Sequence, residues 1–489
     1  MSIQNKPRPG LARLGRWLVQ AAFLLLFLFP LAWIVYQKAT FAPAPTFTSW
    51  LLPWDPVLFV AQLLHGDFSS LVIGAPLLLL ALSLVFGRFL CGWICPLGTL
   101  LDLTRGLVFW RKRKAPGARR GWFAASRNSL LRFFFLAFLL GTALVSLKYP
   151  GLFDPLVVFQ RASTTLGQNS FSAQRPGLGA TASLVSLVFL ATIALELWQP
   201  RFWCRNLCPL GALISLISHF SLFKRQISIG LCNLCQECRR DCPMNAIPKD
   251  AAATDYSQCT FCLECAGSCV QGGITFGFGQ PTAAHPLVRK AASASSPTLT
   301  RRHLLAQAGA ACLTGLAGAA LAPLTELAPR PAVLRPPGAM PEAEFLRACI
   351  LCQECVRVCP TGALRPALLE SGLAGLGTPV LVARQGACTL NPSCPDLCAR
   401  VCPVGAIQPR TLDQMKIGLA VVHRDSCLAW DQGAHCLVCV EACLVKAAIP
   451  FNGRVTVDAE RCTGCGRCET GCPVPGSAIH VVPLQPGKL

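Results

Sequence analysis

Charged side chains are scarce in this 489-residue chain: Asp, Glu, Lys and Arg make up 14% of it, while hydrophobic residues make up 53%. This composition excludes a disordered chain and is unusual for a fully soluble protein. Acidic residues are scarcer than basic ones, 23 against 44. The basic excess lies in short runs beside apolar segments, which is typical of membrane orientation signals. We therefore expect no nucleic-acid partner.

Several cofactor signatures are also missing. The haem c attachment motif C-x2-C-H does not occur, and histidines near the apolar segments (His65, His219) are too few to suggest a bis-histidine haem. Leu178 stands where a covalent flavin motif would carry serine. The chain has four methionines, which argues against a methionine-rich copper site. These absences leave the 29 cysteines as the main chemical signal.

Most of the cysteines fall into groups of four. The regular groups follow the spacing C-x2-C-x2-C-x3-C, which is typical of 4Fe–4S ligands, whereas zinc sites use separated C-x2-C pairs. The six groups predict 24 ligands for six clusters. They are Cys232, Cys235, Cys238 and Cys242; Cys259, Cys262, Cys265 and Cys269; Cys349, Cys352, Cys355 and Cys359; Cys388, Cys394, Cys398 and Cys402; Cys427, Cys436, Cys439 and Cys443; and Cys462, Cys465, Cys468 and Cys472.

The fourth ligand of each cluster should come from a partner motif, as in two-cluster ferredoxins. Cys269 should then complete the Cys232 triplet, and Cys242 should complete the Cys259 triplet. Among the four later groups two have widened gaps, and the spacing leaves two pairings open. Neighbouring groups exchange fourth ligands in one, and outer groups pair with inner groups in the other.

The cysteine groups predict α+β modules of the bacterial 2[4Fe–4S] ferredoxin type. A two-cluster module should cover residues 226–280, and a four-cluster module should cover 341–489. Such modules are too small to fold on apolar burial alone, so cluster binding should supply folding free energy.

Four apolar stretches in residues 1–225 are each long enough to span a bilayer: Trp17–Tyr36, Leu71–Leu90, Ser129–Leu147 and Thr181–Trp198. They predict an α-helical membrane domain of four main transmembrane helices. The basic residues of the N-terminal arm and of the 105–127 segment place those ends in the cytoplasm. The short stretch Leu51–Leu64 predicts an interfacial segment on the outer side.

The two halves of this domain contain a repeat. Residues 88–100 read RFLCGWICPLGTL and residues 201–213 read RFWCRNLCPLGAL, with eight of thirteen positions identical. The repeat indicates a duplicated hairpin whose halves each carry Cys-x3-Cys-Pro. Its cysteines are candidate cofactor ligands, and they are Cys91, Cys95, Cys204 and Cys208. They could share a metal centre, such as a seventh 4Fe–4S cluster, act as redox-active dithiols, or serve only as packing residues.

Residues 281–340 predict a linker that contains an internal export signal. Arg301-Arg302 precedes an Ala/Gly-rich apolar stretch, the layout of a twin-arginine signal or transmembrane segment. Export in a folded state would protect the sixteen downstream ligand cysteines from oxidation. The first ferredoxin module should then be cytoplasmic and the C-terminal module periplasmic.

These motifs carry a resemblance that covers nearly the whole chain. Residues 1–275 resemble the membrane polyferredoxins of the NapH type, whose core with two CxxxCP motifs the NosR and CcoG types share. Residues 300–489 resemble the exported 4Fe–4S ferredoxins of the NapG and MauM type, here fused to the first part. The exported flavin domain of the NosR type has no counterpart here.

The resemblance implies a multi-pass protein of the bacterial inner membrane, in contact with the lipid bilayer and the quinone pool. It would pass electrons from quinol or a cytoplasmic donor through its clusters to a periplasmic reductase or other redox partner, and quinol dehydrogenase activity is one option. A copper or metallocentre maturation factor of the CcoG kind, or a redox sensor, are the alternatives. Six clusters favour conduction because sensing needs only one.

Overall fold

The fold is taken from a computed structural model that describes most of the chain. The described residues are 9–40, 52–66, 73–109, 130–171, 186–248, 253–279, 301–323, 332–389, 394, 397–411 and 414–484. The basic run of the 110–129 segment and residues 281–299 of the predicted linker lie outside these residues.

The first unit is a bundle of helices. They are α1 (Pro9–Thr40), α2 (Pro56–His65), α3 (Gly74–Phe86), α4 (Phe89–Trp93), α5 (Pro96–Phe109), α6 (Leu131–Ala143), α7 (Lys148–Phe153), α8 (Pro155–Phe171), α9 (Leu187–Trp198), α10 (Phe202–Asn206) and α11 (Pro209–Ser218). Prolines begin α2, α5, α8 and α11, where a missing backbone N–H costs nothing.

The helix order repeats the sequence duplication. An apolar helix, a short cysteine helix and a proline-initiated helix follow one another as α3, α4 and α5, and again as α9, α10 and α11. In each half the proline of Cys-Pro starts a new helix because it cannot continue the preceding one. The two cysteine motifs therefore occupy equivalent positions.

The prediction of four transmembrane helices is wrong. None of the helices in the described ranges combines the length and the apolar character that a bilayer crossing requires. The second, third and fourth predicted spans contain α3, α6 and α9, which have 13, 13 and 12 residues. At 1.5 Å per residue such helices reach about 20 Å, against about 30 Å for a bilayer core.

Helix ends explain the difference. Helix α3 stops at Gly87, whose φ of +60° turns the chain before Cys91 is reached. Within the first predicted span, Gln20 of α1 is buried and hydrogen-bonded to Asp102. The predicted multi-pass inner-membrane localisation, with the two ferredoxin modules on opposite sides of the membrane, depended on these spans and is also wrong. The predicted interfacial segment is instead largely the buried helix α2.

The first ferredoxin module has one two-stranded sheet and two short helices. Strand β1 (Phe223–Ile227) pairs antiparallel with β2 (Ile274–Phe278), with Arg225 opposite Phe276. Helices α12 (Glu237–Arg240) and α13 (Glu264–Gly267) follow the cysteine loops. A small core of Ile227, Ile247 and Ile274 packs among the cysteines, so little apolar burial is available without a cofactor.

A single helix, α14 (Arg301–Leu321), precedes the C-terminal module, and it packs along α6. Gly141 of α6 meets the backbone of Gly315, and Gly318 meets the carbonyl of Phe138. Small residues allow this close approach. The predicted signal segment therefore lies against the helical domain in this structure.

The C-terminal module repeats short helices and two-stranded sheets. Its helices are α15 (Glu342–Ala348), α16 (Glu354–Val358), α17 (Gly372–Gly375), α18 (Leu397–Arg400), α19 (Leu428–Asp431), α20 (Val438–Glu441) and α21 (Arg467–Gly471). Its strands are β3 (Leu364–Pro366), β4 (Pro379–Leu381), β5 (Leu419–Val422), β6 (Ala448–Phe451), β7 (Arg454–Val457) and β8 (Ile479–Val482), paired β3–β4, β5–β8 and β6–β7, all antiparallel.

The two ferredoxin modules lie at opposite ends of α6. At its beginning, Arg132 donates to Ser257 Oγ of the first module at 3.2 Å. Just beyond its end, the Leu147 N–H donates to the Arg347 carbonyl of the C-terminal module at 2.7 Å. The helical domain therefore stands between the modules, and its core is continuous with that of the C-terminal module.

Candidate iron–sulfur sites and a four-cysteine centre

The first module brings its eight cysteines together in two crossed sets. One cavity, of about 190 Å³, is lined by Cys232, Cys235, Cys238 and Cys269. A second cavity is lined by Cys242, Cys259, Cys262 and Cys265. In each set the fourth thiol belongs to the other motif, which is the arrangement that the spacing predicts. Each set offers four soft sulfur donors, the ligands that a 4Fe–4S cluster uses.

The four regular motifs share one backbone conformation. In each, the residues on both sides of the second cysteine are left-handed, with φ between 51° and 85°. These pairs are Leu234 and Gln236, Phe261 and Leu263, Leu351 and Gln353, and Gly464 and Gly466. Six of the eight are not glycine, and such residues rarely adopt this conformation unless the surroundings enforce it. Both modules are therefore built from the same cysteine loop.

Backbone N–H groups point at the fourth cysteine of several motifs. Cys242 Sγ accepts from Ala246 at 3.3 Å, Cys443 Sγ from Ala447 at 3.2 Å, and Cys472 Sγ from Ala478 at 3.3 Å. Hydrogen bonds to sulfur favour the charged thiolate, the form that binds iron. Ala246, Ala447 and Ala478 thus donate hydrogen bonds to candidate ligands as well as being small.

A short strand or an isolated bridge follows several of the motifs. Strand β3 begins at Leu364 and β8 begins at Ile479, while Ile407 makes an isolated bridge with Ala339. At Ile247 the described backbone has no strand.

The C-terminal module pairs neighbouring groups. Burial raises the pKa of Cys349 to about 11, and the nearby Cys402 thiol contributes to that rise. Cys402 has the same effect on the pKa of Cys352 and of Cys355. Burial also raises the pKa of Cys398, whose neighbouring thiols are those of Cys388, Cys359 and Cys394. The first two groups therefore exchange their fourth cysteines.

The last two groups follow the same rule. Cys443 lines a cavity with Cys462, Cys465 and Cys468. Burial raises the pKa of Cys439 to about 11, with contributions from the thiols of Cys427, Cys436 and Cys472. Of the two pairings that the spacing left open, the structure has the sequential one, because each fourth cysteine lies beside the neighbouring group.

Arg225 is a candidate functional residue that the sequence did not single out. It lines both cavities of the first module and is 1% exposed. Its guanidinium donates to Thr254 Oγ1 at 3.1 Å, and its charge lowers the pKa of Cys238, Cys242, Cys259 and Cys265 against the effect of burial. A lone arginine on a strand carries no sequence signal for this position between two candidate clusters.

The four cysteines of the repeat also converge. Cys91, Cys95, Cys204 and Cys208 are 5–9% exposed and belong to one core cluster. Burial raises the pKa of Cys208 well above its ordinary value, and the other three thiols raise it further. Burial likewise raises the pKa of Cys204 to about 11, although Arg201 and Arg88 oppose that rise.

A charge network lies beside these thiols. Asp102 forms ion pairs with Arg16 and, at 2.8 Å, with Arg201. Burial disfavours the carboxylate, but the two arginines outweigh it and hold the pKa of Asp102 below its usual range. Arg16 also pairs with Glu264 of the first ferredoxin module at 3.2 Å. The network ties the four-cysteine centre to that module.

Within the described ranges, no set of three or more Cys, His, Asp or Glu side chains is arranged to hold a metal ion. A cubane 4Fe–4S cluster requires a different geometry from a single metal ion, because four thiols must surround a group several atoms wide. The crossed sets around their cavities match that requirement in donor type and number.

Three family models match parts of the chain. A model described as a 4Fe-4S binding domain matches residues 69–116 and 179–229. A model described as a 4Fe-4S dicluster domain matches residues 348–406, and another 4Fe-4S binding domain matches residues 454–479. No solved structure matches the chain.

Among curated proteins, the chain is similar to the methylamine utilization ferredoxin-type protein MauM of Methylorubrum extorquens, with 40% identity over 204 residues. The alignment covers 38% of this chain and 91% of that protein. It is also similar to the ferredoxin-type protein NapG of Escherichia coli, with 40% identity over 169 residues, covering 32% of this chain and 72% of NapG. The MauM protein of Paracoccus denitrificans is 38% identical over 205 residues, 39% of this chain and 90% of that protein.

Proposed function

Since the chain belongs to the family of ferredoxin-type proteins that includes MauM and NapG, we propose that it conducts electrons between a donor and a redox partner protein through six 4Fe–4S clusters. Iron–sulfur electron transfer is common to these ferredoxin-type domains. The cluster number, the donor and the partner are the parts that we propose.

The crossed cysteine sets carry the proposal. Two sets lie in the first module and four in the C-terminal module, and each combines three thiols of one motif with the fourth of its neighbour. Bound clusters would supply one-electron redox chemistry. The chain itself contributes the thiolates, the N–H donors that stabilise them, and the buried charge of Arg225.

Exposure supports one point of electron entry. Cys235 is exposed, whereas Cys262 and Cys265 of the other crossed set are buried. The Cys232 set is therefore the accessible end of the first module. A quinol or a reduced protein could donate there, and the C-terminal module would present its clusters to the redox partner.

The first part of the chain resembles the membrane polyferredoxins of the NapH type in the order of its motifs. The shared feature is two CxxxCP motifs ahead of a double ferredoxin module. That resemblance supports quinol as one donor to test.

Iron analysis of the anaerobically purified full chain tests the cluster number. We expect at least about 24 iron and 24 sulfide per chain, that is, four of each for every complete set. Two to four irons with stoichiometric zinc would contradict the proposal. Electron transfer is then followed by mixing the dithionite-reduced or quinol-treated chain with a one-electron acceptor.

Paired substitutions test the crossing. Cys269→Ser combined with Cys235→Ser should remove about four irons, because both belong to one set. Cys269→Ser combined with Cys262→Ser should remove about eight. Cys312→Ser is the matched control, since Cys312 is exposed and lies outside every group. The reverse result would show that each motif holds its own cluster.

A further inference from the structure

The four cysteines of the repeat are related by reciprocal contacts. Arg88 of the first half donates to the carbonyl of Cys204 at 3.1 Å, and Arg201 of the second half donates to the carbonyl of Cys91 at 3.1 Å. Arg88 and Arg201 are the first residues of the two repeated blocks. Each half therefore holds the cysteine helix of the other, as expected when duplicated units pack around a pseudo-twofold axis.

The glycines of the repeat make the same exchange possible. A Cβ on Gly211 would lie 2.5 Å from Arg88 Nη2, and a Cβ on Gly98 would lie 2.7 Å from the Cys91 carbonyl and 3.6 Å from Arg201 Nη1. A larger residue at Gly211 would displace Arg88, and one at Gly98 would displace the Cys91 carbonyl to which Arg201 donates. The C-P-L-G sequence thus leaves room for a guanidinium from the opposite half.

Each second cysteine sits at the beginning of a helix. Cys208 is the N-cap of α11, and its Sγ accepts from the Gly211 N–H at 3.2 Å. The Gly98 N–H makes the equivalent hydrogen bond to Cys95 ahead of α5. Helix N-termini favour negative charge, so these hydrogen bonds stabilise a thiolate against the effect of burial, which raises the pKa of both cysteines.

Arg88 carries a positive charge that no described carboxylate balances in an ion pair. Arg88 has no exposed surface, its Nε has no hydrogen-bond partner, and it forms no ion pair with a described carboxylate. Arg132, nearby and 3% exposed, has Asp255 as its neighbouring carboxylate. Asp102 is shared by Arg201 and Arg16, and Glu196 also lies beside Arg201. Buried charge without compensation is strongly unfavourable, so an anion is expected at this site.

Neutral states of the four cysteines do not supply that anion. Four free thiols or two disulfides carry no charge and would leave Arg88 uncompensated. A cubane held by four thiolates carries about −2 and would balance it. The family model described as a 4Fe-4S binding domain matches residues 69–116 and 179–229, and the cysteines within those ranges are these four.

We propose that Cys91, Cys95, Cys204 and Cys208 hold a seventh 4Fe–4S cluster at the interface of the two repeated halves, with Arg88 and Arg201 as its charge-compensating residues. The proposal deepens the electron-transfer function proposed above and rests on it.

The site lies between the two ferredoxin modules. On one side, Trp93 Nε1 donates to the Phe261 carbonyl at 3.0 Å, and Arg205 lies beside Cys242. Towards the other module, the Trp203 ring stacks on Phe153 with centroids 6.5 Å apart. Gly151 of the same short helix packs directly against Ile350, which follows Cys349.

The centre would therefore relay electrons between modules. Each step moves one electron: the cluster that donates is oxidised by one electron, the cluster that accepts is reduced by one, and no bond to a proton is formed or broken.

Iron and zinc analysis of single variants of the full chain tests the site. The wild-type chain should contain about 28 iron atoms, and Cys95→Ser or Cys208→Ser should each retain about 24. Cys95→Ser with Cys208→Ser should also retain about 24, because both thiols bind one cluster. Cys312→Ser should match the wild type.

Three outcomes would overturn the seventh site. These are about 24 irons in the wild type, unchanged iron in both serine variants, or one zinc per chain that the variants lose. Cys238→Ser separates this from the proposed function: if it loses about four irons while Cys208→Ser loses none, the ferredoxin clusters stand and the seventh site does not.

Arg88→Gln tests the charge of Arg88 through a cluster reduction potential, which a packing role alone would not change. Removal of a cation beside an anionic cluster disfavours the reduced state, so one cluster of the titrated set should shift to a more negative potential, with iron content retained. Arg88→Lys should restore much of the shift. Loss of iron without any change in the potentials of the remaining clusters would assign Arg88 a structural role only, and unchanged iron and potentials would remove it from the site.

Discussion

The carboxyl groups of Asp55 and Asp154 face each other in the helical domain and share a hydrogen bond. Each also caps a helix, since Val57 N–H donates to Asp55 at 2.8 Å and Leu156 N–H donates to Asp154 at 2.9 Å. Both precede a proline, at equivalent helix starts in the two halves. Burial raises the pKa of both, and the Asp55 charge raises that of Asp154 further. The pair therefore binds a proton more tightly than two solvent-exposed carboxyl groups would.

Stability should fall as pH rises past the ordinary carboxyl range. A carboxyl whose pKa is raised on folding contributes stability that is complete below its unfolded pKa of about 3.9 and is lost as pH rises through the folded pKa, by about 1.4 kcal/mol per pKa unit. Asp154→Asn should reduce this slope to the contribution of Asp55, because the asparagine amide keeps the helix cap and donates to Asp55 but does not ionise. Unfolding curves across this pH range measure it.

Asp154→Ala serves as the comparison for Asp154→Asn. It loses the cap as well and should be less stable by about 1 kcal/mol. Asp425→Asn, at an exposed residue, should leave the pH dependence of the wild type intact. An unchanged pH slope in Asp154→Asn would show that the pair does not bind a shared proton.

Arg225 should set the potentials of both clusters in the first module. Since its charge lies beside both cavities, Arg225→Met should make both reduced states harder to form, by roughly 60 mV each, a tenfold change for one electron. Arg240→Met is the control, because Arg240 is 70% exposed. A redox titration followed by electron paramagnetic resonance measures the shift. A change confined to one cluster would contradict a shared role.

The sequential pairing in the C-terminal module predicts which substitutions act on one cluster. Cys402→Ser with Cys352→Ser should lose about four irons, and Cys402→Ser with Cys398→Ser about eight. The physical reason is that Cys402 lies beside Cys352, whereas Cys398 lies beside Cys359 and Cys388. Iron analysis decides, and equal losses from the two double variants would refute this pairing.

The contact of α14 with α6 depends on glycine. Gly318→Val places a side chain against the Phe138 carbonyl and should destabilise the helix pair by about 1–3 kcal/mol. Gly309 lies in the same helix and has open space around it, so Gly309→Val should change the stability only through helix propensity. A thermal unfolding temperature that falls equally in both variants would show that α14 does not pack closely here.

Several features of this protein could be predicted from the sequence because they are local. The three cysteines of a regular motif lie within seven residues, so their spacing alone indicates a common site. The repeat that relates Cys91 to Cys204 is likewise evident from the amino-acid sequence. The spans were mispredicted because hydropathy counts apolar residues, whereas Gly87 ends α3 after 13 residues.

The features that only the tertiary structure decided are contacts between residues far apart in the sequence. Sequential or nested pairing of Cys402, the position of Arg225 between two cavities, and the meeting of Asp55 with Asp154 all depend on segments that are distant along the chain. Spacing constrains the conformation of one loop, but it carries no information about which loops pack together. Burial and charge arise from that packing, so the residues that tune a site are found only when the chain has folded around it.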